Sequence, residues 1–254
     1  MNNKFENQDE ESVKPMKSEP KTVAAIGGEN LYPLDWKTID VTLAKGRFTH
    51  TLARPSNELL MQREAQLKTE IGISKDGSYN LPDETEQEEL DAKYYDAVKQ
   101  DATGYGAREI PTLHKATAFQ GLFKSSIEVD EDCDIFDEEI TVNEEIGTGD
   151  EPDFVVRHVL RQPDEKELNK LRKIFRNSKI TPDKNGRQKI VTASNLRQAM
   201  SVYAAYLVRL DGAKVGDEAF SDERRQDFIN NVNVLTQRAV IRVFVEKLSG
   251  SLSD

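Results

Sequence analysis

The sequence predicts a helix-rich α+β fold made of two tandem copies of one small domain, each a β-hairpin followed by three helices. Three observations carry the prediction. The first is a long repeat: His50-Thr51-Leu52-Ala53-Arg54-Pro55 with Leu60 recurs 108 positions later as His158-Val159-Leu160-Arg161-Gln162-Pro163 with Leu168. Both stretches read H-x-L-x-x-P-x-x-x-x-L. Beyond them an offset of 109 aligns Lys75-Asp76-Gly77 with Lys184-Asn185-Gly186, Leu81 with Ile190, Tyr94 with Tyr203 and Phe119 with Phe228. A period of this length is too long for a solenoid unit and fits a duplicated domain. The second observation is that a two-residue hydrophobic period precedes each motif and a 3.6-residue period follows it. The third is composition: 254 residues with 37% hydrophobic and 32% charged side chains suit two domains of roughly 100 residues with modest cores.

Residues 1–30 have no periodicity and mix Asn, Glu, Lys, Ser and Pro, which predicts a disordered acidic tail. The first copy spans 31–129. Ile39, Val41 and Leu43 alternate, Ala44-Lys45-Gly46 turns the chain, and Phe48, His50 and Leu52 continue a return strand. Pro55 suits a helix start, and Leu59, Leu60, Arg63, Leu67 and Ile71 predict a helix over 56–71. After the turn at Lys75-Asp76-Gly77, Leu90, Tyr94, Ala97 and Val98 mark a second helix that stops at Gly104-Tyr105-Gly106. A third opens at Ile110-Pro111-Thr112 and points Leu113, Phe119, Leu122, Phe123 and Ile127 inward.

Residues 130–139 form an acidic linker, and the second copy spans 140–254. Ile140, Val142 and Ile146 predict one strand, Gly147-Thr148-Gly149-Asp150 a loop, and 154–160 the return strand. Asp164-Glu165-Lys166-Glu167 begins a helix with negative charge at the positive end of its dipole. Ser194 caps a helix over 195–210, and Ser221-Asp222-Glu223 opens a last helix of up to 27 residues ending near Leu248. Phe228, Val232, Leu235, Ala239 and Val243 form its stripe, which Ile241, Phe244 and Val245 widen. An apolar surface this wide on a terminal helix marks Phe228, Val232, Leu235 and Phe244 as the candidate inter-copy or partner contact.

No apolar run approaches the ~20 residues of a membrane span, and the N-terminus has no secretion signal, so a cytoplasmic protein is expected. The lone Cys133 cannot form an internal disulfide. The net charge of −11 is uneven: residues 150–254 carry 19 Lys and Arg against 15 Asp and Glu, a net of +4 that leaves −15 for residues 1–149. The richest basic stretch runs from Lys166 to Lys189, with Lys170, Arg172, Lys173 and Arg176 at its centre. It reads either as a nucleic-acid footprint or as a surface complementary to the acidic half or to another copy. Overall acidity and the absence of interleaved aromatics favour the protein reading.

Histidines are three: His50, His114 and His158. His50 and His158 share a repeat position, so two imidazoles converging on a metal were weighed against a bonded corner histidine, and the second reading is the stronger. Asp130, Asp132 and Asp134 begin like a calcium loop, but Ile135 replaces the turn glycine and Thr141 the bidentate glutamate. No phosphate loop, G-x-S-x-G, H-E-x-x-H or metal-spaced cysteine pair occurs. Neither a cofactor nor a metal is implied, and the chain reads as non-enzymatic.

The H-x-L-x-x-P corner passing into a leucine-containing helix, at His50 to Leu60 and His158 to Leu168, resembles small tail-assembly and accessory proteins of tailed bacteriophages. That resemblance implies a non-catalytic assembly factor or structural component binding an elongated or ring-forming viral protein, and a place in the virion if the chain is phage-derived. The reading is therefore an acidic, soluble protein-protein interaction or assembly protein that self-associates or binds a protein partner; the alternative is a nucleic-acid-binding module using Lys170, Arg172, Lys173 and Arg176.

Overall fold

The computed structural model describes residues 31–249 apart from 37, 44–47, 68–69, 74–78, 81–83, 124, 135, 148–151, 176–177, 183–187 and 193–195. The turns expected at 44–46, 75–77 and 184–186, most of the loop at 147–150, Leu81, the tail, the Ser194 cap and Arg176 lie outside these residues. What is described is a mixed fold of helices and small sheets.

In order, the chain forms β1 (Tyr32–Pro33), β2 (Thr38–Leu43), β3 (Phe48–Ala53), α1 (Asn57–Gln66), β4 (Glu70–Ile73), β5 (Tyr79–Asn80), α2 (Glu84–Val98), β6 (Lys99–Thr103), α3 (Thr112–Gly121) and β7 (Ser125–Val129). It continues through β8 (Glu139–Ile146), β9 (Phe154–Arg161), α4 (Glu165–Phe175), β10 (Ser178–Pro182), β11 (Gln188–Thr192), α5 (Leu196–Tyr206), β12 (Leu207–Asp211), β13 (Ala213–Val215) and β14 (Glu218–Ala219). A 3₁₀ turn at Asp222–Arg224 leads into α6 (Arg225–Asn231) and α7 (Val234–Leu248).

Both expected hairpins form, and each gains a third strand that was expected to be helix. β2, β3 and β6 make one antiparallel sheet; β12, β9, β8 and β7 make another. The two sheets agree in register. His50 faces Ala102 and Leu52 faces Lys99; 108 residues on, His158 faces Leu210 and Leu160 faces Leu207. Each pair skips one residue, Gln100 and Val208, so the same bulge recurs at the same place. Gly104 (φ 92°) and Gly212 (φ 78°) then end the two strands in a backbone region that glycine enters without steric cost. A Cβ on Gly212 would lie 2.3 Å from the Val155 carbonyl oxygen.

The strand β6 escaped the sequence because Lys99-Gln100-Asp101-Ala102-Thr103 is polar and mostly exposed, with pairing to β3 as its support. β12 is the opposite case. Leu207-Val208-Arg209-Leu210 continues an apolar helix, and a short apolar run does not separate helix from strand by period.

Further expectations change. Ile127, placed inward on the third helix, lies instead on β7, and Leu113 points to solvent. The acidic stretch 130–139 is the loop of the β7–β8 hairpin: Asp130 N–H donates to the Thr141 carbonyl, and Thr141 N–H meets Cys133 Sγ at 3.3 Å. The expected 27-residue last helix breaks at Val232-Asn233, where Asn233 Oδ1 accepts from Leu235 N–H and caps α7. The run Asn230-Asn231-Val232-Asn233 favours caps over helix interior, which is the local signal for that break.

Burial concentrates in two clusters. One is built mainly on β8, β9, α5 and α7 but takes in Leu34; the other is built on β3, α1, α2 and α3 but takes in Leu196 and Val234. A fourth sheet, ordered β10, β11, β4, β5, joins the two distant hairpins through β11 and β4.

Candidate functional site

Each H-x-L-x-x-P motif delivers a histidine from a central strand into the interior. His50 and His158 are both 0% exposed, Leu52 and Leu160 sit beside them, and Pro55 and Pro163 are buried at the helix entries. Each imidazole bonds a tyrosine 45 residues ahead: His50 Nδ1 lies 2.7 Å from the Tyr95 hydroxyl, and His158 Nδ1 lies 2.8 Å from that of Tyr203. The structural partner of Tyr203 is therefore Tyr95, at an offset of 108, and not Tyr94, whose hydroxyl accepts from Gln66 at 2.9 Å.

Beyond this shared bond the two centres differ. His50 Nε2 meets the Tyr105 hydroxyl at 3.0 Å, and that hydroxyl meets His114 Nδ1 at 2.8 Å, making a chain of two phenols and two imidazoles. Phe48 stacks on Tyr105 with ring centroids 4.5 Å apart. In the second centre, His158 Nε2 lies 3.3 Å from Glu144 Oε2, and Glu144 Oε1 accepts from Thr236 Oγ1 at 3.1 Å. A carboxylate only accepts, so facing an ionised Glu144 the Nε2 carries a proton, and in the neutral ring Nδ1 is then the acceptor for the Tyr203 hydroxyl.

Burial sets the electrostatics. Desolvation first, then the charges of His114 and Lys99, lower the His50 pKa. Desolvation, followed by Tyr105, Asp96 and Asp101, pushes Tyr95 up to about 12. Tyr203 is raised well above its ordinary value by burial, with Glu144 adding to the effect. Both centres are thus held neutral at the phenol and satisfied in their hydrogen bonds. They brace strand to helix.

A second polar group closes the first centre's neighbourhood. Asp91, 0% exposed, accepts from Arg63 Nε at 2.6 Å and from Gln120 Nε2 at 2.7 Å, tying α1, α2 and α3. The residues 108 positions on are the buried Leu171 and Ala199.

Arg54, noted in the sequence only as part of the repeated motif, is at the joint between the halves. Its Nη2 donates to the Asn231 carbonyl at 2.8 Å. Asn57 Nδ2 donates to the carbonyls of Asn230 and Val232, and its Oδ1 accepts from Val234 N–H. The corner after β3 thus fastens the break between α6 and α7, and Arg238 of α7 pairs with Glu64 of α1. Arg54 Nη1 is buried without a protein partner among the described residues and lines a cavity of about 50 Å³ with Tyr32, Glu144, Asn233 and Thr236. That volume is large enough for one or two waters. Desolvation lowers the Arg54 pKa, opposed by Tyr32, Glu144 and Asp35. Arg161, by contrast, is exposed, paired with Glu167 at 2.9 Å and lying over the Tyr206 ring.

The anticipated partner surface faces inward. Phe228, Val232 and Phe244 are buried in the chain's own core, and Leu235 packs beside Val234 against the other cluster. Their width is explained by contacts within one chain, since α7 meets α5, β7, β8, α4 and α1. On α4, Lys170 and Lys173 are exposed, whereas Arg172 Nε donates to Ser249 Oγ at 2.9 Å. His114 is half-buried within the phenol chain. Among the described residues no group of three or more His, Cys, Asp or Glu is placed to hold a metal ion, and no helix is long and apolar enough to cross a membrane.

Sequence reasoning passed over Tyr105, Glu144, Arg54 and Asn57. Tyr105 and Glu144 carry no repeat signal, because the positions matching them hold Ala213 and Leu43. Searches against family models, curated proteins and solved structures found no match.

Proposed function

We propose that the chain is a duplicated, non-enzymatic protein-protein interaction or assembly protein, with copies at 31–124 and 125–249, the second beginning at β7. The observation that carries this reading is the recurrence, 108 residues apart, of sheet register, bulge, positive-φ glycine and the Tyr–His bond, while every further polar partner differs. What the halves share among the described residues is framework. A framework of this kind serves by presenting surface. The likeness of the H-x-L-x-x-P corner to tail-assembly and accessory proteins of tailed bacteriophages fits such a role.

Size-exclusion chromatography with light scattering, at low and moderate salt and with absorbance at 260 and 280 nm, tests it. A salt-stable oligomer free of nucleic acid is the expected result. A monomer carrying nucleic acid that salt removes would replace this reading with the basic surface of α4, where Lys170 and Lys173 are exposed.

A further inference from the structure

Several sheet edges among the described residues are blunted. β6 and β12 are bulged and carry Lys99, Asp101 and Arg209, and β10 ends in Pro182. Such features keep an edge from pairing with another chain. β2 has none of them. All six of its residues pair with β3 in unbroken register, without proline or lysine, and Asp40 is its one charge.

The strand that corresponds to β2 in the second sheet is β8, since Val41 pairs with His50 as Val142 pairs with His158. The outer edge of β8 is covered by β7, antiparallel over five residue pairs. Among the described residues the same edge of β2 has no strand on it. α3 runs along this strand: a Cβ on Gly121 would meet Val41 Cγ1 at 3.0 Å, and His114 meets Phe48, the partner of Leu43. Leu113, 55% exposed, therefore stands at the Leu43 end of β2.

We propose that β2 pairs antiparallel with β2 of a second copy of this chain, joining two three-stranded sheets into one of six strands. This names the partner and surface of the assembly reading and rests on it. A twofold axis through such a sheet keeps each side chain on its own face, so residues opposite each other have the same parity and the axis passes through one residue paired with itself. Centred on Asp40, the register would set two carboxylates face to face, which is unfavourable. Centred on Val41, it sets Val41 against Val41, Ile39 against Leu43 and Asp40 against Thr42. The half-buried residues of β2 then form one continuous apolar face. Asp40 already accepts from Thr51 Oγ1 at 2.9 Å through Oδ1, leaving Oδ2 for the hydroxyl of the opposite Thr42.

Sedimentation equilibrium on the full chain, across a concentration series, tests this with Thr42→Asp and Thr42→Lys. Thr42 is exposed, so neither change disturbs the core. The wild type is expected to dimerise. T42D places a carboxylate opposite Asp40 twice and weakens the dimer by about tenfold; T42K places an ammonium there twice and tightens it by a similar factor. Gln198→Asp and Gln198→Lys, at an exposed position of α5, carry the same net charge changes and leave the dimer as it was. A chain monomeric at every concentration, or Thr42 shifts no larger than the Gln198 shifts, overturns the β2 pairing. A salt-stable oligomer indifferent to Thr42 removes the β2 edge and leaves the assembly reading intact; a monomer bearing nucleic acid removes both.

Discussion

Asp91 and Arg63 form a buried ion pair in one half of the chain where the other half has Leu171 and Ala199. The molecule thus contains both solutions to one packing problem, and the difference predicts how each responds to substitution. Asp91→Ala strands the Arg63 guanidinium in the interior and is expected to destabilise the protein by about 3–5 kcal/mol. Arg63→Leu combined with Asp91→Ala copies the second half and is expected to cost less than Asp91→Ala alone, measured by denaturant unfolding. A double variant weaker than the single would show that the pair contributes more than charge compensation. The Tyr–His centres make a prediction in pH. His50 has a lowered pKa when folded, so the unfolded chain takes up that proton first as pH falls below about 6.5, and stability declines from there downward. Tyr95 titrates at about 12 when folded and near 10 when unfolded, so stability also declines as pH climbs from about 10 toward 12. Melting temperatures should be level between these limits, and Tyr95→Phe should reduce the alkaline slope while lowering the plateau, because His50 Nδ1 loses its partner.

At the scale of elements, the joint made by the β3–α1 corner is the feature with the largest leverage. Asn57 alone supplies three hydrogen bonds to the break between α6 and α7. Asn57→Ala is expected to cost about 1–3 kcal/mol, and Asn57→Asp, which keeps the acceptor for Val234 N–H but loses both donated bonds, should fall between. Equal losses for the two would mean that the two donated bonds carry the whole effect. This joint also marks how far the sequence could be read. The hairpins, the helix starts at Ser56 and Asp164, and the histidine corner are written in local periods and caps, so they were legible. β6 and β12 were not, because their strand character comes from pairing with β3 and β9 across the chain. The role of Arg54 was not legible for the same reason: its acceptor, the Asn231 carbonyl, lies 177 residues away. The offset of 109 placed Tyr94 opposite Tyr203, whereas hydrogen bonding selects Tyr95 and keeps the offset at 108 through the second helix of each half.

For the whole molecule, the pattern of exchange between halves decides how it unfolds. Leu34 sits in the cluster built on β8 and β9; Leu196 and Val234 sit in the cluster built on α1 to α3; and β4 pairs with β11. Neither cluster is closed without residues from the other half of the sequence. Two tandem domains on a linker would melt in two steps, and substitutions in one would leave the other's transition in place. Here a single cooperative transition is expected, with the calorimetric enthalpy equal to the van't Hoff enthalpy. Asp91→Ala in one cluster and Tyr203→Phe in the other should each shift that whole transition to lower temperature. Asn57→Ala weakens the fastening between the halves themselves, so it is the substitution expected to broaden the transition or divide it in two. Two transitions in the wild type, each moved by substitutions on one side only, would mean that the crossing residues do not couple the clusters and that the halves fold as separate units.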